Sequence, residues 1–190
     1  MLRIVIFASG SGTNAENIIE YFDTRDSITV SWVITNNADA GVLERAGRLN
    51  VPSRVISKKE MSSDDFLEFL KEEADFIVLA GFLLKVPDSI VNAFPGAIVN
   101  IHPALLPKYG GKGMYGMHVH KAVVANKETI SGITIHYVNE HYDEGAIIFQ
   151  ETVAIERDDT AEDVAGKIHV LEQENFPKVI DEILKGKNEG

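Results

Sequence analysis

The chain has 190 residues, no cysteine and a formal net charge of −11. That length suits one domain with a full core, and the missing cysteines remove any disulfide framework or thiolate metal site. So acidic a balance repels polyphosphate backbones, which argues against nucleic acid as a partner but leaves room for a small anion held by local N–H groups. No apolar run reaches membrane-span length, and Met1–Ala8 reads as a buried strand rather than a signal peptide, so no membrane partner is expected and the expected compartment is the cytoplasm.

Leu2–Ala8 is nearly all apolar, as in a parallel strand covered on both faces. A Gly/Ser turn follows, then a helix from about Asn14 to Tyr21. Ile28–Thr35 is rich in β-branched residues and predicts a second strand. Ala40–Leu49 reads as a helix, Pro52–Ile56 as a short strand, and Asp64–Glu73 as an amphipathic helix with Phe66, Leu67 and Leu70 on one side. Phe76–Ala80 is a buried strand ending at Gly81, Pro87–Ala93 a helix opened by proline, and Ala97–His102 the next strand. The second half changes character. A Gly-rich loop and a helix over His118–Ala125 precede two strands, Ile130–Val138 and Ala146–Val153. Only seven residues separate these two. That is too few for a crossover helix, so they should pair antiparallel. The last helix starts at Thr160, where Thr160 and Asp163 have capping-box spacing, and Pro177 should kink or interrupt it. The pattern predicts one α/β domain over residues 1–190, Rossmann-like, with a mostly parallel sheet and an antiparallel strand pair in its C-terminal part.

Three segments carry candidate chemistry. Ser9-Gly10-Ser11-Gly12-Thr13-Asn14 lies between a buried strand and a helix, where glycines let the backbone approach a ligand and free N–H groups favour an anion. Gly10-x-Gly12-x-x-Ala15 loosely matches the dinucleotide fingerprint, but that reading asks for an acidic residue where Asn36 stands. A single phosphate is the better reading; the alternative is a tight turn capped by Thr13 or Asn14. Asn100 and His102 share one side of a strand at its carboxyl end, about 6.6 Å apart along it. An amide donor beside a proton-handling imidazole suits acyl transfer to an amine, and the alternative is that both satisfy loop backbone ahead of Pro103. Asp143, in the turn between the late strands, orients His102 and raises its pKa if it folds back onto it, and is otherwise a solvated turn acid.

The run Ile98-Val99-Asn100-Ile101-His102-Pro103-Ala104-Leu105-Leu106-Pro107-Lys108-Tyr109 resembles the N-x-H-P-(S/A)-L-L-P-x-Y signature of folate-dependent formyltransferases. The Ser9–Asn14 loop and Ala80-Gly81-Phe82 are similar to the matching segments of that family. The resemblance implies formyl transfer from the co-substrate 10-formyltetrahydrofolate to the amine of glycinamide ribonucleotide in purine biosynthesis, with no metal. It implies direct amine attack and a tetrahedral intermediate stabilised by Asn100 and His102, with Asp143 supporting a protonated His102. By the same match, Gly12, Thr13, Asn14 and Glu172 bind the phosphorylated substrate. Leu83, Leu84, Lys85 and Val86, together with Asn100, contact the folate. The expected assembly is a monomer or homodimer.

Two stretches depart from the family pattern. The loop Lys108–Met117 is longer than K-Y-P-G-x-H, and Ser62-Ser63-Asp64-Asp65 stands where the family often has a folate-contacting arginine. Tyr109, Tyr115 and the loop glycines read either as a lid over the donor or as plain surface. His118-x-His120 lacks a third ligand at metal spacing and reads as helix-start and loop packing. His136 and His169 read as structural. Within the same chemistry, transfer to a sugar nucleotide or tRNA and hydrolytic release of formate are the alternatives. An NAD-dependent or non-catalytic nucleotide-binding protein is the alternative from a different class.

Overall fold

The computed structural model describes residues 1–188, so Glu189 and Gly190 of the expected 1–190 domain lie outside the described residues. The chain runs β1 (Leu2–Phe7), α1 (Thr13–Asp23), β2 (Ile28–Thr35), α2 (Val42–Arg48), β3 (Ser53–Val55), α3 (Lys58–Met61), α4 (Asp64–Glu73), β4 (Phe76–Leu79), α5 (Asp88–Ala93), β5 (Ile98–His102), α6 (Met117–Ala125), β6 (Ile130–Tyr137), β7 (Ile147–Ala154) and α7 (Ala161–Asn188). The seven strands form one sheet in the order β3-β2-β1-β4-β5-β6-β7. Strands β1 to β5 pair in parallel, while β6 runs antiparallel to both β5 and β7. The expected α/β architecture is therefore present, and the antiparallel part includes β5 as well as the late pair. The single-turn α3 is an addition to the predicted elements, capped by the Ser57 side chain, which accepts from the Glu60 N–H.

The continuous apolar runs are explained by burial on both faces. Ile4, Val5, Ile6 and Phe7 of β1, and Phe76, Ile77 and Val78 of β4, are wholly buried. The chain winds outward from β1 through β2 to β3, then resumes on the other side of β1 with β4. The crevice beyond the carboxyl ends of β1 and β4 is thus the switch point where open α/β sheets hold ligands. Ser9 ties it together: its N–H donates to Gly81 O at 3.0 Å, its hydroxyl donates to Asn36 Oδ1 and accepts the Leu83 N–H at 2.9 Å. Asn36, which argues against a dinucleotide, is thus engaged in bracing the loop.

The capping box at the head of α7 forms as predicted: the Thr160 N–H reaches Asp163 Oδ2 at 2.9 Å and the Asp163 N–H reaches Thr160 Oγ1 at 3.1 Å. Pro177, expected to kink or interrupt α7, does not interrupt it: it sits inside a helix that continues to Asn188. Proline cannot donate to the carbonyl four residues back. That carbonyl, Gln173 O, accepts instead from Asn17 Nδ2 of α1 at 2.8 Å. A side chain from the neighbouring helix therefore replaces the missing bond, and the same contact docks α1 on α7.

Asn17→Ala removes this substitute donor and is expected to cost about 1 kcal/mol of unfolding free energy, the usual net value of such a bond. Urea denaturation measures it. In a Pro177→Ala background, where the backbone N–H is restored, the same substitution is expected to cost clearly less.

Candidate active site

Two adjoining cavities open at the switch point. The larger, of about 720 Å³, is lined by residues 10–14, by Asn100 and His102 of β5, by residues 111–116 of the long loop, and by His169 and Glu172 of α7. The smaller, of about 80 Å³, is lined by Leu84, Lys85, Val86, His136, Val138 and His141. Phe82, Asn100, Tyr142 and Asp143 line both.

The first glycine loop enters α1 without a side-chain cap, so the capped-turn alternative is not what forms. Gly12 occupies the N-cap position at φ 80° and ψ 20°, and Thr13 and Asn14 are already helical. A Cβ on Gly12 would lie 2.5 Å from the Val42 side chain, so only glycine fits there. The loop is held from below by α2, whose Val42 N–H donates to Gly10 O at 3.1 Å and whose Arg45 Nε donates to Ser11 O at 2.8 Å. Arg45 and Arg48 both pair with Glu16, which spends their charge on structure. Asn14 is held by α7: its Nδ2 donates to Glu172 Oε2 at 2.9 Å and its Oδ1 accepts from Gln173 Nε2 at 2.8 Å. Gly12, Thr13 and Asn14, and Glu172 far from them in sequence, all line the larger cavity.

Asn100 and His102 point to the same region from the end of β5. Asn100 Nδ2 lies 3.1 Å from His136 Nε2, and His102 Nε2 lies 2.7 Å from the carbonyl oxygen of Tyr109. A carbonyl only accepts, so His102 carries its proton on Nε2. Asp143 does fold back. Its Oδ2 is 3.7 Å from His102 Nδ1 and accepts the Gly111 N–H at 2.9 Å, while its Oδ1 is 3.6 Å from His136 Nε2. Burial raises the Asp143 pKa, but the two imidazoles and the Gly111 N–H outweigh it and hold the carboxyl below its ordinary range. For His102 the Asp143 carboxylate acts in the expected upward direction, but it is outweighed. Burial is the largest influence and lowers its pKa below the ordinary histidine value, although Asp143 and the Tyr109 carbonyl pull upward. A nearly inaccessible ring loses more by giving up water than one carboxylate at 3.7 Å returns.

The remaining expectations divide. Leu83 lines the larger cavity, while Leu84, Lys85 and Val86 line the smaller one, and Lys85 pairs with Asp88 at 2.9 Å. None of Ser62–Asp65 lines either cavity; Ser63 caps α4 by accepting the Phe66 N–H. Tyr109 is not part of a lid: its hydroxyl donates to Glu128 at 2.8 Å and accepts from Asn126 at 2.9 Å. Tyr115, by contrast, lines the larger cavity with its ring edge-on to His118.

Several histidines read as structural belong to the site. His136 contacts Asn100 and Asp143, and His169 Nδ1 lies 3.5 Å from Glu172 Oε2, whose hydrogen bond raises the His169 pKa. His120 is buried in α6, lines the larger cavity and has a buried Nδ1 with no hydrogen-bond partner. Lys112 is the one lysine or arginine among the described residues lining that cavity. His136 carried no sequence signal beyond its place on a predicted strand, and His120 and His169 none beyond helical spacing. Among the described residues no His/Cys/Asp/Glu group is arranged to hold a metal ion, and no helix is long and apolar enough to cross a membrane.

This carboxylate-linked amide and imidazole, set at the end of a central strand, occur in a chain whose residues 2–180 match the formyl transferase family model. The chain belongs to that family. It is 32% identical to the phosphoribosylglycinamide formyltransferase of Bacillus subtilis, over 100% of this chain and 98% of the relative. It is 38% identical to the chloroplastic phosphoribosylglycinamide formyltransferase of Vigna unguiculata over 96% of this chain, yet it spans only 61% of that relative's length. The crystal structure of phosphoribosylglycinamide formyltransferase from Bacillus halodurans superposes with a TM-score of 0.86 at 38% identity, covering 96% of this chain and 95% of that one.

His120 yields a stability prediction. Its folded pKa is lowered, first by burial, with Glu172 opposing and His102 adding to the effect. The unfolded chain therefore binds a proton near pH 6.5 that the folded chain refuses, so this residue's contribution is intact above that pH and is lost as pH falls below it. His120→Leu is expected to leave the melting temperature at pH 7.5 unchanged or higher, since it also removes an unpartnered buried nitrogen. It should also reduce the fall in melting temperature between pH 7.5 and 5.5, as followed by circular dichroism.

Proposed function

We propose that this chain transfers a formyl group from 10-formyltetrahydrofolate to the amine of glycinamide ribonucleotide, a step of purine biosynthesis. The observation that carries the proposal is the convergence of Asn100, His102 and Asp143 where the two cavities adjoin, each cavity being suited to one substrate. The larger offers what a phosphorylated amine needs: the uncapped N-terminus of α1 for a phosphate, and the Glu172 carboxylate for an amino group. The smaller, with Leu84, Val86 and Val138, suits a flat ring system such as that of the folate donor. The family membership and the names of its relatives support the same reading. In this proposal Leu83, Leu84, Lys85 and Val86 contact the donor, and Gly12, Thr13, Asn14 and Glu172 contact the acceptor.

In the reaction the amine nitrogen bonds to the formyl carbon, the bond from that carbon to the folate nitrogen breaks, and one proton passes from the amine to the leaving nitrogen. Asn100 Nδ2 and His102 Nε2 donate to the carbonyl oxygen as it gains negative charge in the tetrahedral intermediate. His102 must first turn its Nε2–H away from the Tyr109 carbonyl. A neutral imidazole can serve as this electrophile, as its lowered pKa requires at rest. The growing oxyanion then offsets the burial penalty, and with Asp143 it favours the imidazolium.

The test is deformylation of 10-formyltetrahydrofolate followed by absorbance with and without glycinamide ribonucleotide. Amine-dependent turnover is expected. Deformylation without the amine would mean a hydrolase, and no turnover would refute the proposal. Asn100→Ala is expected to lower kcat about 10²–10³-fold, the cost of losing one oxyanion donor. Asp143→Asn removes the charge that holds the His102 pKa up, so the limb of the kcat–pH profile that reports His102 is expected to move to lower pH.

A further inference from the structure

We infer that His136 is a positioning residue for this transfer, one that fixes which end of the Asn100 carboxamide faces the reacting oxygen. The inference rests on the formyl-transfer reading above.

A carboxamide is nearly symmetric in shape, so only its hydrogen-bond partners decide whether nitrogen or oxygen points to a given side. For Asn100 the decision matters: nitrogen toward an oxyanion stabilises it, and oxygen repels it. His136 supplies the deciding partner. It lies directly opposite Asn100 in the antiparallel β5–β6 ladder and is 2% exposed. Its Nδ1 is 2.9 Å from the carbonyl oxygen of Tyr137, which can only accept, so Nδ1 carries the proton. A neutral ring so arranged presents Nε2 as an acceptor. Asn100 Nδ2 donates to it at 3.1 Å, leaving the second N–H of the same nitrogen for the cavity that Asn100 lines. Reversing the carboxamide would set its oxygen against this lone pair, with the Asp143 carboxylate 3.6 Å from the same Nε2.

The backbone around His136 supports the role. The β6–β7 register shifts between Ile135, paired with Phe149, and His136, paired with Ile147, so Ile148 is an extra residue in β7. Such bulges re-aim side chains near functional sites. A Cβ on Gly145 would fall 1.6 Å from the Tyr137 carbonyl oxygen. Only glycine lets the chain close over the carbonyl that fixes the His136 tautomer.

The test is a double-mutant cycle on the full chain, with amine-dependent deformylation as the readout. His136→Leu removes the acceptor and should lower kcat about 10- to 100-fold, the range seen when partners that orient a functional group are lost. KM for glycinamide ribonucleotide should change less than about twofold. His136→Gln, whose side-chain oxygen can reach the Nε2 position, should recover most of the rate. In an Asn100→Ala background, His136→Leu should cost less than about twofold more, because the group it orients is gone. An equal cost in both backgrounds, or a Gln variant no better than Leu, would overturn the inference while leaving the formyl-transfer reading intact. Should His136→Leu not fold, His136→Met and His136→Ser carry the same cycle. A wild-type chain without amine-dependent turnover would overturn both.

Discussion

Because β6 runs antiparallel to β5, Asn100 faces His136 and His102 faces Thr134 across the ladder. Thr134 in turn donates from its hydroxyl to Ala104 O at 2.7 Å and accepts the Leu106 N–H at 3.0 Å. That fixes the start of the loop that returns Tyr109 O to His102 and Gly111 N to Asp143. The β6–β7 turn leaves beside the amino end of β5, where the Val138 N–H donates to Ile98 O at 3.0 Å, and it folds back far enough to bring Asp143 Oδ2 within 3.7 Å of His102 Nδ1. The antiparallel pairing sets His136 beside Asn100, and the fold-back of the following turn adds the Asp143 carboxylate to both β5 side chains' surroundings.

A second constraint is charge. A chain of net charge −11 must bind any anionic substrate, such as the proposed one, against its own field, and the structure does little to reverse that field locally. Arg45 and Arg48, on the helix that holds the first glycine loop, are committed to Glu16. What remains is the uncapped helix end behind Gly12, together with Lys112 and His169 on the cavity wall. Backbone N–H groups suit this because they are fixed by the fold and carry no side-chain entropy cost.

The inner strands β1 and β4 were readable in the sequence because they are apolar runs that local propensity and burial both favour, and helices were readable where several local signals agree. The segment Asp64–Glu73 is an example: serine cap, acidic first turn and apolar stripe agree, and the helix occupies those residues. Pro177 shows where local reading fails. Whether a proline ends a helix depends on who satisfies the orphaned carbonyl, and Asn17 is 156 residues away in sequence. The site divides the same way. Asn100 and His102 declare themselves by strand position, whereas His120, His136 and His169 become site residues only once α6, β6 and α7 are assembled around the same cavity.

The direction of the His102 shift has the same origin. Sequence can suggest a carboxylate beside an imidazole, and that pairing alone pushes the pKa up. It does not reveal that the ring is 3% exposed, and burial is the larger influence. Asp143 is better placed to stay charged: the Gly111 N–H donates to it, and its pKa is held below the ordinary carboxylate range. It is a negative centre shared by two rings, 3.7 Å from His102 Nδ1 and 3.6 Å from His136 Nε2. Anything that moves the Gly111 loop moves the carboxylate's hydrogen bond, and through it both histidines. The glycine loop, whose residues 111–116 line the larger cavity, is thus tied by one hydrogen bond to the carboxylate at the cavity's inner end.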